Sequence, residues 1–421
     1  MSAQGADRPR FTLAFTAQPE LKCHVLSFRG TAALNTLYAF EITALVRTAD
    51  LRGKGPGDFF AGEASLGMRD LSRPTPHGGG AGGPQAFETA WHGVATAFRK
   101  GGRAGDWTIV ELTLEPSLSR LRGQIQNRIH LSDSSCGIIR DSLIFGGVAP
   151  DAFTFALDQS AYPNREFVFQ HGEDLSLFVL RTLEREGIAL SFDQTGGRDV
   201  ALFTDMNAQF PSLMDGYKEL RAYASDVSGM NPDAGGSQIF GLKSVCRVPK
   251  ASVRLKDYNW ANPNRPLSVS LPVAPYGRGE IYLYGENFDT EAEGRRLAAI
   301  RRDEELCACE EWQAVSRIPG LMPGLALEVR GAEDPDSDGR YVITATRIAG
   351  SQAAMVAAVQ GVDLGVGAGE KDGLTHSLSL SRLEIPWRPR RATPVPRISG
   401  QVTAWIDGSG TGHTPETDGW G

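Results

Sequence analysis

Residues 165–192, REFVFQHGEDLSLFVLRTLEREGIALSF, constrain the fold of this chain more than any other stretch. Arg165 to Gln170 alternates apolar and polar residues, with Phe167 and Phe169 on one face, the pattern of a half-buried strand. Leu175, Phe178, Val179 and Leu183 then share one face at helical spacing, and Glu173 and Asp174 place negative charge at the start, where the helix dipole favours it. Gly187, free to adopt the left-handed conformation, ends the helix, and Ile188 to Phe192 resumes a period of two. Strand, helix and strand make a bracket, and β-rich sequence on both sides makes it a joint between two sheets. Its polar residues predict no chemistry. Glu184 and Glu186 are expected on a solvated helix face, and His171, with no second His or Cys near it, in a loop rather than at a metal.

From Phe11 to Leu114 the segments FTLAFT, KCHVLSFRG, YAFEITALV, GEASLGMRD, ETAWHGVATAFRK and DWTIVELTLEP read as strands separated by turn residues, which suggests a barrel or sandwich. The Gly-rich run Pro74 to Pro84 is expected to be a loop tip, because no P-loop pattern follows it. Pro116 opens a helical run, SLSRLRGQIQNR, and Ser134 to Phe145 is a second helix. VALFTD adds a strand, and residues 207–236 are expected to form a loop between domains. β signal returns in QIFGLKSVCRV, ASVRLKDYNW, LSVSLPV and EIYLYGEN, followed by a helix with Thr290 and Glu293 as a capping box, ending near Glu305. CEEWQAVSR, GLALEVRG, RYVITATRIA and AAMVAAVQGV are expected strands, residues 366–380 a connection, and the proline-rich stretch after Ile385 a stiff strap leading to a new β domain near Ile398.

At 421 residues the chain is long enough for two to three domains, and 41% hydrophobic residues can fill their cores. A net charge of −7 with no sustained Lys/Arg run argues against nucleic-acid binding. Cys23, Cys136, Cys246, Cys307 and Cys309 are odd in number and scattered, which suits a reducing compartment, and the C-x-C pair is read as thiols on a helix rather than a zinc site. Asp334, Asp336, Asp338 and Gly339 follow the opening order of a calcium loop. The position of its last acidic ligand is Ala345, so an Asp-rich hairpin turn is expected instead. No metal or cofactor site is expected, and G-x-S-x-G, H-E-x-x-H and Walker patterns do not occur. The polar N-terminus has no secretory h-region, and no apolar run is long enough to cross a bilayer, which predicts a protein made soluble in the cytosol without Sec export.

Several of these segments carry a resemblance. Glu186-Gly187-Ile188 in the bracket, Pro116, Leu118, Leu121, Arg128 and Ile129, then Tyr284, Gly285, Glu293, Gly294, Leu297, Ala298 and Arg301, and finally Arg388, Pro389, Thr393, Pro394, Pro396, Gly400, Thr403 and Ala404 occur in the order and spacing of one family. The chain resembles the N-terminal part of the VgrG spike family of type VI secretion, related to the hub of contractile phage tails. The resemblance implies a mainly β fold with α+β insertions: a first tube-like β-barrel hub domain over 1–115, an α+β connecting region over 116–236, a second barrel with the capped helix over 237–365, linker and strap over 366–397, and the start of an OB-fold over 398–421. It also implies a homotrimer that adapts a hexameric Hcp-like tube to a trimeric spike. Baseplate proteins, a PAAR-like spike-tip protein and effectors are the further partners, and the machine carries the protein out of the cell. On this reading the protein is not an enzyme, and Trp387, Arg388 and Pro389 fix the strap between hub and OB-fold; the bland alternative is an ordinary linker with one buried aromatic. Other readings keep the fold but place it in a phage tail or extracellular contractile particle, or make it the non-catalytic part of a spike bearing an effector enzyme.

Overall fold

Alternation of apolar and polar residues builds most of this molecule. The computed structural model describes residues 10–60, 62–74, 86–213, 219–223, 238–259, 263–363 and 372–398. The Gly-rich run after Pro74, the polar stretch 224–236 and the expected OB-fold start from 399 onward lie outside the described residues. The first strands are β1 (Phe11–Phe15), β2 (His24–Ala33), β3 (Ala39–Arg47), β4 (Glu63–Pro74), β5 (Ala86–Ala104) and β6 (Trp107–Glu115), with the short helix α1 (Gly57–Phe60) before β4. Neighbours pair antiparallel in the order β1-β4-β5-β6-β3-β2, and a bridge between Leu13 and Cys23 brings the last strand back to the first. Their inward residues, among them Tyr38, Phe40, Leu66 and Trp91, form one core. Gly30 is required there, because a Cβ would collide with the Phe40 ring across the β2–β3 pair.

The connecting region holds β7 (Ile125–Ser134), α2 (Ser135–Phe145), β8 (Phe153–Phe155), β9 (Asn164–Asp174), α3 (Leu175–Glu186), β10 (Ala189–Asp193) and β11 (Val200–Thr204). The strand–helix–strand bracket is present, with Gly187 closing α3 at φ 71°, but β9 runs on to Asp174, so His171, expected in a loop, lies in the strand opposite Asn127, and Glu173 and Asp174 precede the first turn of α3. The helical run expected after Pro116 is only a 3₁₀ turn, Ser117–Leu121; Ile125 onward is strand, paired with β9. Leu118 and Leu121 are buried against α2 and α3, so one turn suffices to bury both, and the β9 ladder claims the rest.

The later strands are β12 (Glu219–Tyr223), β13 (Gln238–Cys246), β14 (Ser252–Asp257), β15 (Leu267–Pro272), β16 (Glu280–Tyr284), then α4 (Glu291–Cys309), β17 (Glu310–Ser316), β18 (Ala326–Arg330), β19 (Gly339–Ser351), α5 (Ala353–Gln360) and β20 (Gly373–Arg382). β12, β13, β17, β20, β19 and β18 pair in that cyclic order, β18 returning to β12. This is the winding of the first set, β1-β2-β3-β6-β5-β4, repeated strand for strand in sequence order. One difference is the opening strand, which runs parallel to its neighbours in the second set and antiparallel in the first. β2 and β19 pair across the two sets, so all the strands of both belong to one twelve-stranded sheet. β14–β16 form a separate three-stranded sheet backed by α4, inserted between β13 and β17.

Several expectations are corrected. β12 lies within the stretch expected to be a loop between domains. AAMVAAVQGV is the helix α5, not a strand, closed by Gly361 at φ 63°. Residues from Gly373, expected in a connection, are β20, with Leu374, His376, Leu378 and Leu380 buried on alternate positions. α4 runs on to Cys309 and passes directly into β17. The Asp-rich segment is a β18–β19 turn in which the Asp338 carboxylate accepts from the Gly331 and Ala332 N–H groups. Among the described residues there is no cluster that could hold a metal ion, and no helix long and apolar enough to cross a membrane.

Candidate interface: the strap and its charged seat

The strap, residues 383–397, crosses the molecule over the ends of α3 and α4. Its seat is built from the bracket of β9, α3 and β10. Helix α3 leaves its last carbonyls without intrahelical partners, and Arg301 of α4, 3% exposed, donates to the carbonyls of Glu184 (2.7 Å) and Arg185 (3.1 Å). Gly187 lets the three elements meet: a Cβ there would lie 2.6 Å from Ile300 and 3.2 Å from the Arg388 side chain. Arg388 then donates to the carbonyls of Gly187 (2.9 Å) and Asp205 (2.6 Å).

Glu184 and Glu186 are not solvated. They are 6% and 2% exposed, because α4 and the strap cover the face that an isolated helix would show to water. Glu184 accepts from the Ala392 and Thr393 N–H groups, both at 3.0 Å, and from Thr393 Oγ1 at 2.7 Å, so one carboxylate holds two strap residues. Glu186 accepts from Ser135 Oγ at 2.9 Å, Arg296 Nη2 at 2.6 Å and Arg185. Burial pushes its carboxyl up, but Arg185, Arg296 and the Ser135 hydroxyl outweigh that and hold it at about 2. Burial and the neighbouring Arg391 pull the Arg301 guanidinium down to about 10, against Glu304, Glu286 and Glu186. Glu286 is raised by burial and lowered further by Arg391, which grips both its oxygens, so it too stays below its ordinary range. Arg391 N–H also donates to Glu304 at 3.1 Å.

The strap's apolar part is fixed in the same way. Asn207 accepts from the Trp387 N–H at 2.8 Å and donates to the Leu383 and Ile385 carbonyls at 2.9 and 2.6 Å. The half-buried Trp387 packs with Leu383 against Leu34, Ala189, Phe210, Ala326 and Val342. Pro389 is buried, and Cys307 Sγ donates to the Pro386 carbonyl at 2.9 Å. Burial pushes the Cys307 thiol up to about 12, so it is a structural donor rather than a nucleophile. The structure thus brings Trp387, Arg388 and Pro389 to one seam. Sequence reading missed Glu184, Glu186, Asn207 and Glu286 as members of it. The capping box at Thr290 is half as expected: Thr290 Oγ1 accepts from the Glu293 N–H, while the Glu293 carboxylate accepts from Arg165 at 2.9 Å.

Every carboxylate named here already has an arginine or backbone N–H against it, so the arrangement is suited to holding chain segments in place rather than to moving protons. Relatives share the chain's span. It is 25% identical over 401 residues to the type VI secretion system spike protein VgrG5 of Pseudomonas aeruginosa, covering 94% of this chain and 47% of that protein. It is 26% identical over 394 residues to VgrG4b of the same organism, covering 91% and 45%. The chain therefore spans about half the length of these relatives. Among solved structures, the E. coli c3393 protein, a type VI secretion component similar to T4 bacteriophage tail proteins, matches with a TM-score of 0.64 at 19% identity, over 92% of this chain and 82% of that one. A tail protein from Neisseria meningitidis MC58 matches at 0.57 and 10% identity, over 89% and 97%. These likenesses are of fold. Residues 31–354 match the phage tail baseplate hub (GPD) family, a span that takes in most strands of both windings and the seat of the strap, and the chain belongs to that family.

Proposed function

We propose that this chain is the hub of a contractile injection spike of the type VI secretion kind, a non-catalytic adaptor that seats a trimeric spike on a hexameric tube. The observation that carries this reading is the repeated winding: one chain holds the same cycle of strands twice. On this reading each cycle is a tube-like β-barrel domain, the first within 1–115 and the second running from β12 to β20, past the expected bounds 237–365 at both ends, and three copies present six equivalent units. Duplication within the chain resolves the mismatch between threefold spike and sixfold tube. Similarity along nearly the whole chain to proteins named as type VI secretion spikes supports it.

The α+β region of β7–β11 then braces the barrels, and the strap of 383–397 leads to the segment 398–421, which on this reading begins an OB-fold. Trp387, Arg388 and Pro389 anchor the strap, so that force on the spike passes into the α3–α4 seam. The partners are a hexameric Hcp-like tube protein, baseplate proteins, a PAAR-like tip and effectors; the machine itself exports the protein. The fold shared with phage tail proteins keeps a phage or extracellular particle as a second reading. The test is the mass of the chain by light scattering together with its binding to the hexameric tube protein from the same gene cluster. A trimer that binds the ring is expected. A chain that never binds tube protein overturns the reading, and a neighbouring membrane complex separates secretion from phage.

A further inference from the structure

The insert between β13 and β17 is a small sheet whose two edges differ in character. β14 lies in the middle, antiparallel to β15 and parallel to β16, and among the described residues no strand borders the outer side of either. The edge at β15 is guarded. Pro266 precedes that strand and Pro272 ends it, and a proline has no N–H to offer a further strand. β16 has no proline, no lysine and no bulge against β14. Its outward groups follow from its ladder. In a parallel pair alternate residues bond the neighbouring strand, and the bond from the Gly285 N–H to the Lys256 carbonyl, 3.2 Å, sets the phase. Ile281 and Leu283 therefore bond β14, while the N–H and C=O of Tyr282 point away from the sheet, a template for another strand.

The side chains along that edge sort by face. Ile281 and Leu283 are half-buried on the α4 side, packed against Val253, Leu255 and Leu297. Tyr282 and Tyr284 are 53% and 61% exposed on the other face. Cross-strand pairing sets their neighbours there: Ser270, Arg254 and Tyr282 form one row, and Ser268, Lys256 and Tyr284 form the next, about 7 Å along the strands. Arg254 Nε donates to Glu280 at 3.1 Å, so that cation is engaged. The Lys256 ammonium has no partner among the described residues. One edge thus offers phenol rings beside a free cation on one face and aliphatic surface on the other. Exposed tyrosines with a cation between them are the composition of a protein contact rather than of a solvated face.

The geometry points to β16 as the docking strand for an extended segment of another protein, one in which acidic and apolar residues alternate. The segment lies antiparallel to β16, the more stable pairing, and bonds the outward N–H and C=O of Tyr282. Its apolar side chains fall beside Ile281 and Leu283 and extend the core that α4 backs. Its carboxylates fall on the tyrosine face, about 10 Å from β14 and within reach of the long Lys256 and Arg254 side chains. A basic segment meets those two cations and is repelled, and a segment without alternation puts polar groups against the aliphatic side. The insert belongs to neither strand cycle, so this inference does not depend on the hub reading.

The test is fluorescence anisotropy of a labelled heptapeptide in which Glu and Val alternate, titrated with the full chain, with a heptapeptide of alternating Lys and Val as its counterpart. Saturable binding of the acidic peptide is expected, with the basic one weaker by about tenfold or more. Tyr282→Pro removes an outward N–H that no described strand uses, so the chain should still fold, as thermal unfolding checks, and the peptide should no longer bind. Lys256→Glu should reverse the preference toward the basic peptide. No binding of the acidic peptide overturns the docking strand, as does equal binding of both peptides. Binding that survives Tyr282→Pro in a folded chain overturns it too; should that variant not fold, the outcome with Lys256→Glu decides. Self-association that the same proline removes, with no peptide bound, overturns the assignment in favour of a second copy as the occupant. Tube binding tests the hub reading separately.

Discussion

Inside the first strand cycle the space is filled by rings, Trp91 lying 4.7 Å from Phe40 and 5.1 Å from Tyr38 between ring centres. Between α3, α4 and the strap it is filled by Glu184, Glu186, Glu286, Arg301 and Arg391. The first arrangement is non-directional and tolerates any solvent condition that preserves the hydrophobic effect. The second depends on each charge keeping its partner, since a buried ion left alone costs far more than the pair contributes. The difference assigns separate tasks: apolar strand cycles give a body of fixed shape, and the ionic seam fixes the direction in which the chain leaves it.

The sharpest way to break this contrast is Phe40→Ala. The side chain is fully buried, so the loss should be about 3–5 kcal/mol in urea unfolding, and equal at pH 7 and pH 5. Glu186→Gln should cost about 3 kcal/mol at pH 7 by leaving Arg185 and Arg296 without their carboxylate. Its folded value, about 2, is below its ordinary 4.5, so the wild-type advantage is complete above pH 4.5 and is lost as pH falls toward 2; the two unfolding curves should converge over that window. His376 sharpens the comparison by adding an acid-sensitive point to the second strand cycle. It is wholly buried on β20, with Nδ1 3.1 Å from Thr346 Oγ1, and burial holds it at about 3 against an ordinary 6.5. The unfolded chain binds that proton first, so stability should decline from pH 6.5 downward, and His376→Leu should flatten the decline between pH 6.5 and about 3. The smallest effect is Glu184→Gln: about 1–2 kcal/mol at most in global stability, because the strap is one surface segment, but faster amide exchange at Ala392 and Thr393.

Sequence pattern revealed the elements whose partners are local. The α3 face, its Gly187 stop and the alternation of β3, β6 and β19 were readable because each period is complete within the element. β20 was not, since GLTHSLSLSR alternates with Ser and Thr, which read as loop until a sheet covers the Leu side. α5 reads as a strand through its two valines, yet Ala353 and Val356 are the pair that faces β2, a helical spacing. The charged seat was invisible for another reason. A carboxylate on the polar side of a lone helix is solvated by default, and the arginine and strap groups that bury Glu184 and Glu186 come from remote sequence. Arg388 and Trp387 could be singled out in the strap, but not the Asn207 that holds the Trp387 backbone.

The grip of Glu184 on Ala392 and Thr393 also has a consequence in time. Its carboxylate belongs to the connecting region, Arg301, which holds the same end of α3, to the insert within the second strand cycle, and Ala392 and Thr393 to the far end of the chain. Contacts so distant in sequence form late, because the intervening chain must first be ordered. The strap therefore seats only once α3 and α4 have met, and its capture acts as a checkpoint on that joint.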